Sequence, residues 1–413
     1  MARILKLSAR EIIDSRSNPT IEAECVLESG ILGIASVPSG ISTGSREAFA
    51  TKDISRAIRN VESEILKRLR DRELDQEDLD FILIKLDGTK NKSRFGANTI
   101  LAVSLAFARA SAAEKKIELF QYLGKLSNNK EFKLPEPFFN IIEGGKHSES
   151  GLEIQEFMIN PRGIKLFREK VRAAQEVVKA LKVLLIGRGE SKEQGDEGGF
   201  APKLGSNEEA IKLVDEAVKM ARYTSGEIKI GLDAAATTFF KNGFYELNID
   251  GERKKLNREG LIMWYEKLVN DHAIISIEDG FAEEDWGGFS HMSASLGGKI
   301  MVVGDDITVT NKHLIEDAAR RRAINAVIIK PNQIGTLTET LEAIKTAKKY
   351  DIVPFVSHRA GETMDTFIAD LSVGCGCPYI KSGAPTMPER MAKYNRLIEI
   401  EDLLNKKGVN LPG

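Results

Sequence analysis

Residues 274–278 read Ile274-Ile275-Ser276-Ile277-Glu278, a short apolar run that stops on a carboxylate. Working outward, the same phrase returns with a different last residue. Ile228 to Leu232 stops at Asp233, and Ile300 to Val303 leads through Gly304 to Asp305 and Asp306. Ala326 to Ile329 stops at Lys330, Ile352 to Val356 leads through Ser357 to His358 and Arg359, and Tyr379-Ile380 stops at Lys381. Upstream, Leu152 to Ile159 carries Gln155 and Glu156. From Asp233 onward the charged ends are spaced 45, 27, 25, 28 and 23 residues apart, mostly one strand–helix unit each. Helical segments fill the gaps: Asn207 to Arg222 places Ile211, Val214, Val218 and Ala221 on one face. Ser206 with Glu209, and Thr336 with Glu339, have capping-box spacing. Such alternation predicts a parallel sheet, open or closed.

One charge after a buried strand is ordinary; six in succession are not. Consecutive parallel strands present their C-terminal ends on one face, the face that carries catalysis in barrel enzymes. Gathering that many charges is costly unless a metal or an anionic ligand uses them. Asp233, Glu278 and Asp305 are hard oxygen donors suited to Mg²⁺, and no Cys or His stands among them to suggest zinc. Lys330, beside a cation and a second lysine, is expected to have a lowered pKa and to act as a base. His358, Arg359 and Lys381 suit phosphate and carboxylate. Gly195-Asp196-Glu197-Gly198-Gly199 reads as a flexible loop presenting two carboxylates, and Ser39 to Gly44 as a Gly/Ser loop of the kind that forms lids. A base, a divalent cation and an anion cradle together fit proton abstraction α to a carboxylate.

The rest of the chain sets the frame. Its 413 residues leave room for more than one domain. The first 45 residues read as strands, Ile4 to Asp14, Thr20 to Glu28 and Leu32 to Pro38, and the next ninety as helices, with Asn98 to Lys115 the clearest. This predicts a small α+β domain over residues 1–133, a linker at Leu134-Pro135-Glu136-Pro137, and a catalytic domain over 134–413. Lys plus Arg number 59 against 61 for Asp plus Glu, a balance that argues against nucleic acid as a partner. The most apolar stretch, Ile100 to Ala113, contains Arg109 and is too short for a membrane span. The charged N-terminus has no apolar signal region. Cys25, Cys375 and Cys377 read as free thiols, pointing to a reducing, cytoplasmic setting.

At this point the residues are recognisable. Asp14-Ser15-Arg16, Pro38 to Gly44, Leu86 to Thr89, Gly96-Ala97-Asn98, Gln155 to Met158, Gly195 to Pro202, Ser276 to Asp279, Gly304-Asp305-Asp306, Asn332 to Thr338, Ser357-His358-Arg359 and Lys393-Tyr394-Asn395 together resemble the enolase family over nearly the whole chain. The resemblance implies an N-terminal α+β domain followed by an eight-stranded enolase-type, TIM-like barrel whose second strand is antiparallel. It implies reversible dehydration of 2-phosphoglycerate to phosphoenolpyruvate, with two Mg²⁺ per site. On that mapping Asp233, Glu278 and Asp305 bind the first Mg²⁺, Lys330 is the base, and Glu197 is the acid with Glu156 beside it. Lys381 and Gln155 serve the substrate, His147, His358 and Arg359 surround the phosphate and leaving group, and Ser39 is the lid residue on the second Mg²⁺. A lysine base with one or two Mg²⁺ is also the general pattern of enolase-type sites.

The chain departs from that family around the site. Ser17 stands for a glycine, Glu143 for an asparagine before Gly144-Gly145, and Lys146 precedes His147. Thr237-Thr238 replaces a Ser-Glu pair, Gly280 a proline, Pro331 an aliphatic residue, Ala360 a serine and Met387-Pro388 an Arg-Ser pair. Ala360 and the Glu143–Lys146 loop also fit an enzyme of this kind acting on a different phospho- or phosphono-carboxylate. A non-catalytic scaffold on the same fold would be expected to lose a buried charge, and none is lost. The resemblance further implies a homodimer. Glu22 and Glu399 stand where the family has an ion pair, so the interface is expected to be weaker or repacked near Glu399 unless a base such as Arg396 intervenes.

Overall fold

The computed structural model describes residues 1–40 and 44–406; Ile41, Ser42 and Thr43 of the lid loop, and residues 407–413, lie outside the described residues. β1 (Ala2–Ile13), β2 (Pro19–Leu27), β3 (Leu32–Ser36) and the short β4 (Glu73–Leu74) form an antiparallel sheet in the order β3-β2-β1-β4. Alternate residues Ile21, Ala23, Cys25 and Leu27 of β2 are buried beneath helix Ala97–Glu114. That helix is apolar on nearly every side, so it needs cover all round. The sheet covers one side, and the barrel helix Leu337–Lys349 reaches another, its first N–H donating to Ser104 Oγ at 3.0 Å.

The barrel opens with β5 (Glu136–Glu143), β6 (Glu156–Asn160) and β7 (Lys229–Asp233). An outlying antiparallel meander follows, β8 (Phe240–Lys241), β9 (Phe244–Ile249) and β10 (Glu252–Leu256). The remaining barrel strands are β11 (Ile274–Glu278), β12 (Met301–Gly304), β13 (Ala326–Ile329), β14 (Val353–Ser357) and β15 (Tyr379–Lys381). The circuit β11-β12-β13-β14-β15-β5-β6-β7 is closed. β6 is antiparallel to both neighbours and every other pair is parallel. After the reversed β6, helix Phe167–Gly187 returns the chain to the mouth and helix Asn207–Met220 takes it back before β7. Ser206 and Thr336 cap their helices through the N–H groups of Glu209 and Glu339, as their spacing predicts.

Strand parity places the site. Phe138, Met158, Val303, Ala326, Ile328 and Phe355 fill the barrel interior, with Met301, Val353 and Tyr379 against them. Side chains alternate along a strand. The next inward position after Ala326 and Ile328 is therefore Lys330, after Met301 and Val303 it is Asp305, and after Tyr379 it is Lys381. In the reversed β6, Glu156 precedes Met158. Register then aligns Glu143 with Glu156, Glu156 with Asp233, and Asp233 with Glu278, four carboxylates abreast at the mouth.

Two expectations are corrected. Glu136 and Pro137 are not linker but the start of β5, whose apolar residues lie behind two prolines that read as breakers. The run Leu152 to Ile159 is a strand only from Glu156, because residues 152–155 belong to the loop entering the site. The meander over 240–256 is one that the sequence pattern does not announce, since its β10 is charged and exposed, with no apolar period to find.

Candidate active site

Lys330 stands at the end of β13, where Pro331 opens a single helical turn with the φ that proline prefers. Its Nζ lies on Asp305 Oδ2, the closest ion pair of the site, while Gln333 Nε2 donates to Asp305 Oδ1 at 2.9 Å. Thr310 Oγ1 accepts from Lys330 N at 2.9 Å and donates to Gln333 Oε1 at 2.6 Å. Burial pushes the Lys330 ammonium down, but Asp305 pulls it back, and the net position is above an ordinary lysine. The expected lowering is thus reversed, because Lys330 has a carboxylate partner of its own. Lys381 Nζ sits 2.8 Å from Glu278 Oε2, 3.2 Å from Glu156 Oε2 and 3.6 Å from Asp233 Oδ2. These carboxylates outweigh burial and hold Lys381 charged. Burial raises Glu278 to about 8 against the pull of Lys381.

Glu197 faces a different set. Its Oε2 is 3.1 Å from His358 Nε2 and accepts from Asn140 Nδ2 at 3.3 Å. Arg390 NH1 is 2.8 Å from His358 Nδ1. A guanidinium only donates, so Nδ1 accepts and the ring proton lies on Nε2, aimed at Glu197. Burial lowers His358 to about 4, which keeps the ring neutral at pH 7. Burial pushes the Glu197 carboxyl up, but the two histidines and Arg390 outweigh it and hold it well below its usual range. Glu156 goes the other way: burial and the Glu197 charge raise it well above. Two neighbouring carboxyls are thus driven apart, the pattern that separates a proton holder from a proton acceptor. His147 Nδ1 lies between them, 3.7 Å from Glu156 Oε1 and 3.8 Å from Glu197 Oε1. The loop 195–199 does not hang free with two acids: Glu197 is buried, and Asp196 is tied to Arg16 at 3.1 Å.

Among the described residues, His147, Gln155, Glu156, Glu197, Asp233, Lys330, Ser357, His358, Arg359, Ala360 and Lys381 line one enclosed cavity. Its free volume is about 20 Å³, room for a water molecule. Glu278 and Asp305 stand behind the lysines they bind. Ser39 does not line it: its Oγ is on Asp14 Oδ2, and its backbone bridges Gly361. Arg359 is buried with NH1 and NH2 each 3.1 Å from a Glu47 oxygen and NH1 3.1 Å from Asn332 Oδ1. Among the described residues, the buried His147 Nδ1, Gln155 Oε1 and Asn140 Oδ1 find no hydrogen-bond partner, as expected of groups that await a ligand.

The donor set fits a hard divalent cation, since three buried carboxylates, Asp233, Glu278 and Asp305, supply only oxygens. The tightest trios among the described residues are different ones, His147–Glu156–Glu197 and Asp279–Asp305–Asp306, with ligand atoms within 4.8 Å of one another. Lys381 and Lys330 currently hold Glu278, Asp233 and Asp305. Sequence reasoning missed Glu47, Asn140 and Arg390, and it gave no role to Asp14, Asn332 and Gln333, which stood inside motifs that carried the resemblance. Asn140 follows Phe138 on the unrecognised β5; Glu47 and Arg390 belong to a loop and a helix whose local pattern carries no mark of the site.

A closed barrel whose C-terminal mouth collects lysines, carboxylates and a buried arginine has the arrangement of an enzyme site. Comparison with known families covers the chain from end to end. Residues 4–123 match the enolase N-terminal domain, and residues 131–411 match the enolase C-terminal TIM barrel domain. The chain belongs to the enolase family, lyase-type enzymes that bind a divalent metal. No described helix is long and apolar enough to cross a membrane.

Proposed function

We propose that the protein catalyses the reversible dehydration of 2-phosphoglycerate to phosphoenolpyruvate. The observation that supports this most is the shared cavity, where Lys330 meets Glu197 and Glu156 beside Arg359 and His358. Lys330 leaves Asp305, becomes neutral and takes the proton from C2. Glu197, with Glu156 as the neighbouring proton holder, assists departure of the C3 hydroxyl. Lys381 neutralises the substrate carboxylate, which Gln155 flanks, and Arg359, His358 and His147 orient the phosphate and the leaving group. Asp233, Glu278 and Asp305 would hold one Mg²⁺ and Ser39 a second, supplying positive charge where the enediolate develops. A spectrophotometric assay for phosphoenolpyruvate from 2-phosphoglycerate tests the reading, first with Mg²⁺ and then with EDTA. Turnover that EDTA abolishes supports it; no turnover with Mg²⁺ overturns it.

Ala360 favours a second reading. It lines the cavity with a methyl group where the family has a hydroxyl, which suits the same chemistry on a different phospho- or phosphono-carboxylate. We also propose that the chain acts as a homodimer, without nucleic acid and in the cytoplasm.

A further inference from the structure

Glu143 is a fully buried carboxylate at the end of β5. It is aligned with Glu156 but turns away from the cavity toward the loop that carries Glu197. Glu143 Oε2 accepts from Glu197 N at 3.2 Å, and Oε1 accepts from Gly199 N at 2.6 Å. Among the described residues no other acceptor serves either N–H. The loop is shaped to receive this side chain: a Cβ at Gly195 would collide with Glu143 Oε2, and one at Gly199 would lie 3.0 Å from Oε1. Backbone bonds complete the clasp, with Glu143 N to Phe200 O at 2.8 Å and Phe200 N to Ile141 O at 2.9 Å. The other ties grip the loop elsewhere: Ala384 N on Glu197 O at 2.9 Å, and Arg390 NH2 on Asp196 O at 3.0 Å.

We propose that Glu143 is a positioning residue, a carboxylate clasp that fixes the main chain of Glu197 and so aims its side chain at the leaving group. The inference rests on the reading of Glu197 as the group that assists departure of the leaving hydroxyl. A carboxylate can serve both N–H groups at once, one per oxygen. The asparagine that the family has here is one carbon shorter and has a single acceptor oxygen, and two buried N–H groups without an acceptor are costly. Among the described residues no cation touches it. Burial and the Glu197 charge raise the Glu143 carboxyl well above its usual range, against the smaller pull of the two N–H bonds and the more distant Arg390.

Two measurements on wild type, E143Q and E143L test the clasp. The first is amide hydrogen exchange of Glu197 and Gly199, which needs no substrate. E143L should speed both amides by about tenfold or more, the scale of losing a buried hydrogen bond, with E143Q between. The second compares phosphoenolpyruvate formation with C2-proton exchange of 2-phosphoglycerate in D₂O with Mg²⁺. Exchange needs Lys330 but not the acid, so E143L should lose dehydration by about tenfold or more while exchange holds within about twofold. Unchanged amide exchange overturns the proposal, and so does a parallel loss of both rates, which marks a general structural defect. If wild type neither dehydrates nor exchanges 2-phosphoglycerate, the proposed function falls, and amide exchange alone decides the clasp.

Discussion

Lys330 bears the heaviest demand at the scale of single residues, because it must surrender a proton that Asp305 helps it keep. K330A should abolish phosphoenolpyruvate formation with the fold intact. C2-proton exchange is the sharper readout: exchange at the wild-type rate in K330A means another residue is the base. Ala360 gives a second prediction. Its carbonyl is fixed by Arg390 at 2.6 Å and Ser15 Oγ at 3.3 Å, so the backbone will hold a substituted side chain where the methyl now stands. A360S should lower the KM for 2-phosphoglycerate, since a hydrogen bond to a charged group contributes about 1.5–3 kcal/mol. A constant that stays put or rises shows a site adapted to alanine. Ser17 has φ +63°, the left-handed region where glycine is at ease, so its substitution for glycine carries local strain beside Arg16.

Among the elements, helices Gln76–Asp87 and Leu337–Lys349 join the N-terminal part to the barrel through Asp80. It accepts from Thr338 N at 2.8 Å and Oγ1 at 2.6 Å, with Gln76 Nε2 at 3.3 Å. Burial raises its carboxyl to about 6 despite these bonds. The folded chain therefore holds this proton more tightly than the unfolded chain does. The contribution is full below the ordinary aspartate pKa and is lost as pH rises through about 6. D80N cannot titrate, so wild type should lose roughly 2 kcal/mol relative to D80N between pH 4 and pH 7. Denaturant unfolding of both at several pH values measures this; a constant difference refutes the link. Elements also show what was legible in the sequence. Apolar runs ending on charge marked six barrel strands, because parity carries the last inward residue into the mouth, and the run holding Glu156 marked a seventh, the reversed β6, whose charge stands at its start. The capping pairs marked two helix starts. β5 was hidden by Pro135 and Pro137, and with it Asn140 and the geometry of Glu143. Arg390 was hidden differently: a fully buried arginine on helix Pro388–Lys406 reads locally as a surface charge.

For the whole molecule, the pairing of Glu22 and Glu399 bears on assembly. Glu22 is held by Arg10 and by Ser36 Oγ, each at 2.6 Å, and Glu399 by Arg396 at 2.8 Å. Arg396 also binds Asp370 and Glu118. Each acid is neutralised within its own chain, which softens the repulsion that their bare charges imply. E399R should therefore change the proposed dimer's dissociation constant by less than about tenfold. Sedimentation of both proteins across a range of concentrations reads this, and a larger tightening means that the two glutamates do face each other.

The reversed strand β6 has a consequence for how such a chain can diverge. Because β6 runs away from the mouth, it ends beside the start of β7, and the connection between them rises to the mouth on one helix and returns on another; the turn between these helices, residues 188–206, is delivered to the mouth carrying Glu197. Lys330 follows directly on a barrel strand, whereas Glu197 rides on a connection between two helices that is tied back to the end of β5 through Ile141 and Glu143. A change in that hairpin therefore reaches Glu197 and the end of β5 together, while β13 and Lys330 stay where the barrel circuit puts them.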